Sequence, residues 1–312
     1  MVNQEKHLPN LIIIGAMKSG TTSLHHYLNL HPEIQMTQQK ELNFFSKDKN
    51  WNRGIDWYKS HFVGKAKIYG ESSPNYTRYP QKKGIPERIF SVIPQTKLIY
   101  ILRNPIERII SHYVHNYASG EENCSFEEAI NKIECNDYLE RSQYFLQLEQ
   151  YLEYFPKSNI LIITSEEMSK NAQKTMKKVF QFLEVDSDFE FTFKINNITD
   201  ISVFGFDIIN SSFKFDKKLH TSLSKRRRKI APNSPIVKTI SATMALLPIK
   251  IRPQLEKIIY RLFSEKVERP EINDELQQKI MEYLAEDIAK LQKYTNYSFE
   301  EWSLNVLRTK SN

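Results

Sequence analysis

Cysteine is nearly absent: the chain of 312 residues holds two, Cys124 and Cys135. So few exclude a disulfide-built scaffold and suit a reducing compartment. No Cys/His spacing suited to zinc occurs, and no metal is expected. No apolar run reaches the roughly 18 residues a membrane-spanning helix needs. The opening ten residues, Met1 to Asn10, lack the apolar segment of a secretory signal, so a cytoplasmic location is expected. Internal repeats and low-complexity stretches are missing too. What is left is a chain able to bury a large core, as one large domain or two.

The net charge of +7 points loosely to anionic ligands. Its one dense block is Lys225-Arg-Arg-Arg-Lys229. That block reads either as a solvated loop or helix face, or as a docking strip for an anionic acceptor or anionic lipid. No aromatic or helix-turn-helix pattern accompanies it, so no nucleic-acid partner is expected.

Up to about residue 188 the sequence alternates strand and helix, which specifies a parallel sheet with crossover helices. Strands are expected at Leu11–Ala16, Ile34–Met36, Ile68–Glu71, Lys97–Leu102 and Ile160–Thr164. The first, fourth and fifth are nearly continuous apolar runs, as strands covered on both faces are. Helices are expected at Thr21–Leu30, Ile85–Val92, Pro105–Ala118, Ser125–Ile133, Tyr138–Phe155 and Glu166–Leu183. Pro105 suits a first helical turn, where its missing N–H costs nothing. Ser125 with Glu128 reads as a capping box. From residue 189 the chain turns aromatic, then basic, then helical, with helices expected at Ile236–Leu247, Lys250–Phe263 and Asn273–Tyr294. The expectation is a single domain over residues 1–312, an α/β nucleotide-binding core (1–188) with a mainly helical extension (189–312).

The most informative stretch is Leu11-Ile-Ile-Ile-Gly-Ala-Met-Lys-Ser-Gly-Thr-Thr-Ser-Leu24. A buried strand runs into a small-residue turn carrying one lysine, then into hydroxyl residues that open a helix. Backbone N–H groups of such a turn, the helix N-terminus and Lys18 together cradle an anion. The spacing differs from the nucleoside-triphosphate loop, in which a lysine and a hydroxyl residue follow the second glycine. Here Lys18 precedes Gly20, and the Lys-Ser/Thr pair that would serve terminal phosphates and magnesium is missing.

Lys18-Ser-Gly-Thr-Thr-Ser-Leu24 resembles the 5′-phosphosulfate loop of sulfotransferases that use 3′-phosphoadenosine 5′-phosphosulfate (PAPS). The likeness is to the branch holding the heparan-sulfate N- and 3-O-sulfotransferases and their bacterial relatives. Lys97-Leu-Ile-Tyr-Ile-Leu-Arg-Asn-Pro105 with Arg108-Ile-Ile-Ser111 is similar to that family's 3′-phosphate element. Lys40-Glu-Leu-Asn-Phe-Phe45 resembles its catalytic-glutamate segment, and Glu71-Ser-Ser-Pro-Asn-Tyr76 its second acidic segment. The likeness covers roughly the first 185 residues, motifs in order, and implies a P-loop-like three-layer fold: a central parallel sheet flanked by helices.

The resemblance implies roles. Lys18, Ser19, Gly20, Thr21, Thr22 and Ser23 would hold the 5′ phosphosulfate. Lys18 would stabilise the charge that develops as adenosine 3′,5′-bisphosphate leaves. Arg103 and Ser111 would grip the 3′-phosphate, and Arg108 and Asn104 receive no role. Glu41 would be the general base that deprotonates a hydroxyl or amine of a carbohydrate-like, polyhydroxylated acceptor. Glu71 would contact acceptor, order the site or cap its strand. Three positions depart from the family pattern: Asn43 and Ser46 stand where 3-O-sulfating relatives often place His and Asp, and Ser72 replaces a lysine. His25, His26 and His31 read as packing and surface residues. Two rival functions share parts of the pattern: a nucleotide or sugar kinase, and a non-catalytic module binding an anionic polymer through Lys225–Lys229.

Overall fold

In the computed structural model the structure describes residues 6–131, 136–190, 227–229 and 264–302. The chain divides into two compact units: Met1–Ile109 with Ile133–Lys214 and Asp274–Asn312, and Ile110–Lys132 with Phe215–Asn273.

The first unit is built on five strands: β1 (Leu11–Gly15), β2 (Ile34–Met36), β3 (Ile68–Ser72), β4 (Lys97–Leu102) and β5 (Ile160–Thr164). All pair in parallel, in the order β2-β3-β1-β4-β5. The expected bounds hold to within a residue. Successive side chains on a strand point to opposite faces, and both faces are covered. Leu11, Ile13, Ile99, Ile101 and Ile163 join one core with Leu24 and Leu28 of helix α1 (Thr21–Asn29). Ile12, Ile14, Leu98, Tyr100 and Ile162 join the other, with Phe44, Phe45, Tyr58 and Ile89 of helix α3 (Ile85–Val92). This double coverage explains the unbroken apolar strands and gives the three-layer α/β architecture expected. A short helix, α2 (Ile55–Lys59), was not anticipated; it follows Gly54, whose φ of 79° suits glycine.

Two long expected helices are each split. Tyr138–Phe155 is instead α6 (Asp137–Glu140) and α7 (Tyr144–Leu152). The Asn136 side chain caps the first, accepting from the N–H groups of Tyr138 and Leu139. Asp287 caps the second, accepting from Phe145 N–H at 2.9 Å and Leu146 N–H at 2.8 Å. Glu166–Leu183 is α8 (Ser165–Lys170) and α9 (Ala172–Leu183), because the Asn171 side chain accepts the Lys174 N–H and starts a new helix. Asp287 lies on the helix Asp274–Thr295, which matches the expectation at Asn273–Tyr294 and packs Leu291 into the core of α7.

In the second unit, the helix α4 (Pro105–Ser119), which begins in the first, continues from Ile110 and is followed by α5 (Phe126–Asn131). The Ser125–Glu128 capping box is formed: Ser125 N–H donates to Glu128 Oε2 at 2.9 Å and Glu128 N–H to Ser125 Oγ at 3.3 Å. Arg227–Lys229 pairs antiparallel with Ser264–Lys266. Most of the basic block is therefore strand, where a loop or helix face was expected; Lys225 and Arg226 lie outside the described residues, as do the helices expected at Ile236–Leu247 and Lys250–Phe263. Among the described residues, no helix is long and apolar enough to cross a membrane.

Candidate active site

Because the strands of the sheet are parallel, the loops that follow β1, β2, β3 and β4 all emerge at one edge. The chain leaves β1 toward β2 on one side and leaves β4 toward β5 on the other. Where neighbouring connections diverge in this way, an α/β sheet opens a crevice beyond its strand ends. Lys18 follows β1 and Arg103 follows β4, so the two flank that crevice.

The β1–α1 turn is tightly built. Ala16 N–H donates to Ile101 O at 2.7 Å and Ser19 N–H to Ala16 O at 3.1 Å. Lys18 sits at φ 70°, an uncommon conformation for a side-chain-bearing residue. Gly20, at φ 95°, forms the N-cap of α1, and a Cβ there would stand 3.3 Å from Met168 Cε. No side chain caps α1 and no acidic residue stands in its first turn. The leading N–H groups, from Thr21, Thr22 and Ser23, thus keep their polarity for an anion. Ser19 and Thr21 are buried, and Thr22 is partly exposed. These features fit the 5′ end of a phosphosulfate nucleotide.

Arg103 is tied to the same turn. Its Nη1 donates to Lys18 O at 3.3 Å and its Nη2 to Glu107 at 3.2 Å, while its own carbonyl accepts the Tyr144 hydroxyl at 2.7 Å. Asn104 turns out to be structural: its side chain accepts Glu107 N–H, and its own N–H meets Glu166. Arg108 is fully buried, donating to Ser142 Oγ at 2.6 Å and to Tyr138 O, and burial pulls its guanidinium down to about 10. Ser111 is a residue of α4 in the second unit.

Glu41 lies on the loop after β2. Its backbone is left-handed (φ 63°), its N–H donates to Ser72 O at 3.0 Å, and its exposed carboxylate pairs with Lys40 at 3.2 Å. Asn43, also left-handed at φ 47°, braces this turn from its side chain to the Glu41 carbonyl at 2.9 Å.

Glu71 is fully buried, so it orders the site and has no surface to offer an acceptor. It accepts from Tyr58 (2.8 Å), Tyr76 (2.9 Å) and Ser73 (2.7 Å). Two of these donors also hold the Glu41 loop, Ser73 Oγ through Asn43 N–H at 3.0 Å and the Tyr76 oxygen through Phe45 N–H at 3.2 Å. Burial pushes the Glu71 carboxyl up, and the three hydroxyl donors oppose this.

Arg141 escaped the sequence reading. Nearly buried, it pairs with Asp137 at 2.9 Å, meets Asn75 at 3.3 Å and reaches Met17 Sδ of the β1–α1 turn at 2.8 Å. Burial pulls its guanidinium down, while Asp137 and then Glu41 favour its charge. Arg141 thus ties α6 to the anion turn and to Asn75, and nothing in its local sequence marks it. Two of the three histidines read as packing and surface residues have described surroundings. His31 is buried against Phe180 and Phe189, and His25, held neutral by burial and by Lys40, falls to about 4. Among the described residues no cluster suited to a metal ion occurs.

The sulfotransferase domain family matches residues 8–229. Bifunctional heparan sulfate N-deacetylase/N-sulfotransferase 2 of Homo sapiens is 28% identical over 207 residues, 59% of this chain and 23% of that protein. Heparan sulfate glucosamine 3-O-sulfotransferase 5 of Homo sapiens is 32% identical over 192 residues, 58% of this chain and 54% of that one. The chain thus spans a little under a quarter of the first of these relatives and about half of the second. A sulfotransferase crystal structure from Alicyclobacillus acidocaldarius superposes with a TM-score of 0.54 at 29% identity, covering 63% of this chain and 89% of that one. With the match spanning well over half of its length, this chain belongs to the sulfotransferase family.

Proposed function

We propose that this protein transfers a sulfuryl group from PAPS to a hydroxyl or amine of a carbohydrate-like acceptor. The observation that carries this reading is the uncapped N-terminus of α1 beside Lys18, whose carbonyl is tied to Arg103 across the sheet's crevice. Ser19 to Ser23 with Lys18 would hold the 5′ end, and Arg103 the 3′-phosphate, because an arginine fork suits phosphate oxygens.

PAPS supplies an activated S–O bond to phosphate. Glu41 accepts the acceptor's proton as its oxygen or nitrogen bonds to sulfur. Lys18 meets the charge left on the phosphate as the old S–O bond breaks. The relatives named above carry heparan sulfate in their names; Asn43, Ser46 and Ser72 depart from that branch, so the acceptor here need not be heparan sulfate. Family membership favours this reading over the kinase and the non-catalytic module. The test is incubation with labelled PAPS and fractionated carbohydrate acceptors: label should enter an acceptor with wild type and not with Lys18→Ala or Arg103→Ala. Equal labelling by both variants would overturn it.

A further inference from the structure

Beyond the anion turn, the first unit holds a cavity of about 370 Å³ between the end of the Glu41 loop and the segment Arg78–Arg88. That volume is in the range of small-molecule sites and suits about one sugar unit. Its wall carries five cationic side chains, Lys47, Arg78, Lys82, Lys83 and Arg88, against a single carboxylate, Asp48. Asp48 is held by Lys82 through both oxygens, at 2.7 and 2.6 Å. Arg78 is paired with Asp137 at 3.0 Å. Among the described residues no ion pair engages the other three. Arg88 instead donates to two backbone carbonyls, Phe45 O at 2.7 Å and Lys83 O at 3.1 Å.

A second observation points to a ligand. Ser46 lines the same cavity and is buried, yet its hydroxyl has no hydrogen-bond partner in the protein. Leaving such a donor unmet costs about 1–3 kcal/mol, so native buried hydroxyls generally find a partner. An anion seated among the lysines would accept from it.

The cavity also adjoins the transfer site. Ser46 follows Glu41 by five positions on one loop, and Arg88 fixes that loop at Phe45. Arg78 shares Asp137 with Arg141, the residue that reaches Met17 of the β1–α1 turn.

We propose that this cavity binds an anionic group of the acceptor, a carboxylate or a sulfate or phosphate ester on a sugar next to the one that is modified. The inference deepens the sulfotransferase reading and rests on it for the word acceptor. The full chain, saturated with adenosine 3′,5′-bisphosphate, is titrated by NMR with glucose, glucuronate, glucose 6-sulfate and glucose 6-phosphate. Charge-assisted contacts should make at least one anionic sugar bind about tenfold or more tighter than glucose, and the three anionic arms separate carboxylate from sulfate and phosphate ester. The double variant Lys47→Gln/Lys83→Gln, altered at two exposed positions, should lose that preference and keep its bisphosphate affinity; Ser46→Ala should weaken the preferred anion several-fold. Equal binding of all four sugars, or a preference that survives the double variant, overturns the cavity proposal. Failure of the bisphosphate to bind at all would instead strike the sulfotransferase reading, and an anion preference measured without it would still stand.

Discussion

The Tyr76 hydroxyl donates to Glu71 Oε1 at 2.9 Å and its oxygen accepts the Phe45 N–H at 3.2 Å, so a buried carboxylate on β3 steadies the loop that carries Glu41. Ser73 repeats the arrangement from the other carboxylate oxygen to Asn43. A left-handed backbone at Glu41 and Asn43 costs conformational energy, and such strain persists only where the surroundings over-determine it. The Glu71 network supplies that determination.

Glu71→Gln keeps the shape but turns an amide NH₂ toward hydroxyls that were donating. It should cost roughly 1–3 kcal/mol, because a buried donor is left unmet. Tyr76→Phe removes a donor to Glu71 and strands the buried Phe45 N–H, so it should cost about 1–3 kcal/mol as well. Urea unfolding measures both. An unchanged midpoint for Glu71→Gln would mean that the network contributes no stability.

Lys18 and Glu41 should separate in their kinetics. Glu41→Gln should lower turnover by about 10²–10⁴-fold, the usual range for a lost general base, and leave adenosine 3′,5′-bisphosphate affinity as it was. Lys18→Ala should lower turnover by about 10²–10³-fold, as loss of a charge-stabilising group does, and weaken the bisphosphate too. Paired rate and calorimetric measurements read the split. Loss of nucleotide binding in Glu41→Gln would remove Glu41 from the role of base.

Much of the fold was legible because its signals are local. The apolar runs of β1, β4 and β5 announce strands covered on both faces, and the order of glycine, lysine and hydroxyl residues after β1 announces the anion turn. The breaks between α6 and α7 and between α8 and α9 were not anticipated, for different reasons. Tyr144 begins a helix because Asp287 arrives from more than 140 positions away. Asn171 is a local cap, but helical periodicity continues on both sides of it and hides the break. Glu71 and Arg141 share the first kind of obscurity. The partners of Glu71 come from α2, β3's exit and the turn around Tyr76, and Arg141 acquires meaning only when α6 meets the β1–α1 turn.

Gly15 closes β1 against its neighbours so tightly that a Cβ would stand 2.1 Å from Thr77 Oγ1 and 3.0 Å from Tyr100. The Thr77 hydroxyl meanwhile donates to Ile14 O at 3.2 Å, so it is not free to swing aside without losing that bond. Gly15→Ala should cost about 1–3 kcal/mol, the usual penalty for overpacking a filled core. Thermal or urea unfolding checks this, and Gly15→Ala/Thr77→Ala should recover part of the loss by removing the nearer obstacle. No recovery in the double variant would place the strain elsewhere.

Asp287 sets a pH dependence with a definite sign. Its carboxylate caps α7, which favours the ionised form, but burial outweighs this and pushes the carboxyl from 3.8 up to about 6. Between those values the folded chain holds a proton that the unfolded chain has released. Stability from this group therefore falls as pH rises through the window, by up to about 3 kcal/mol when complete. Asn in its place cannot titrate and still offers one oxygen to the helix N-terminus. Relative to wild type, Asp287→Asn should gain stability on going from pH 4 to pH 7, which unfolding at several pH values would reveal. A difference independent of pH would show that the Asp287 carboxyl titrates alike in the folded and unfolded chains.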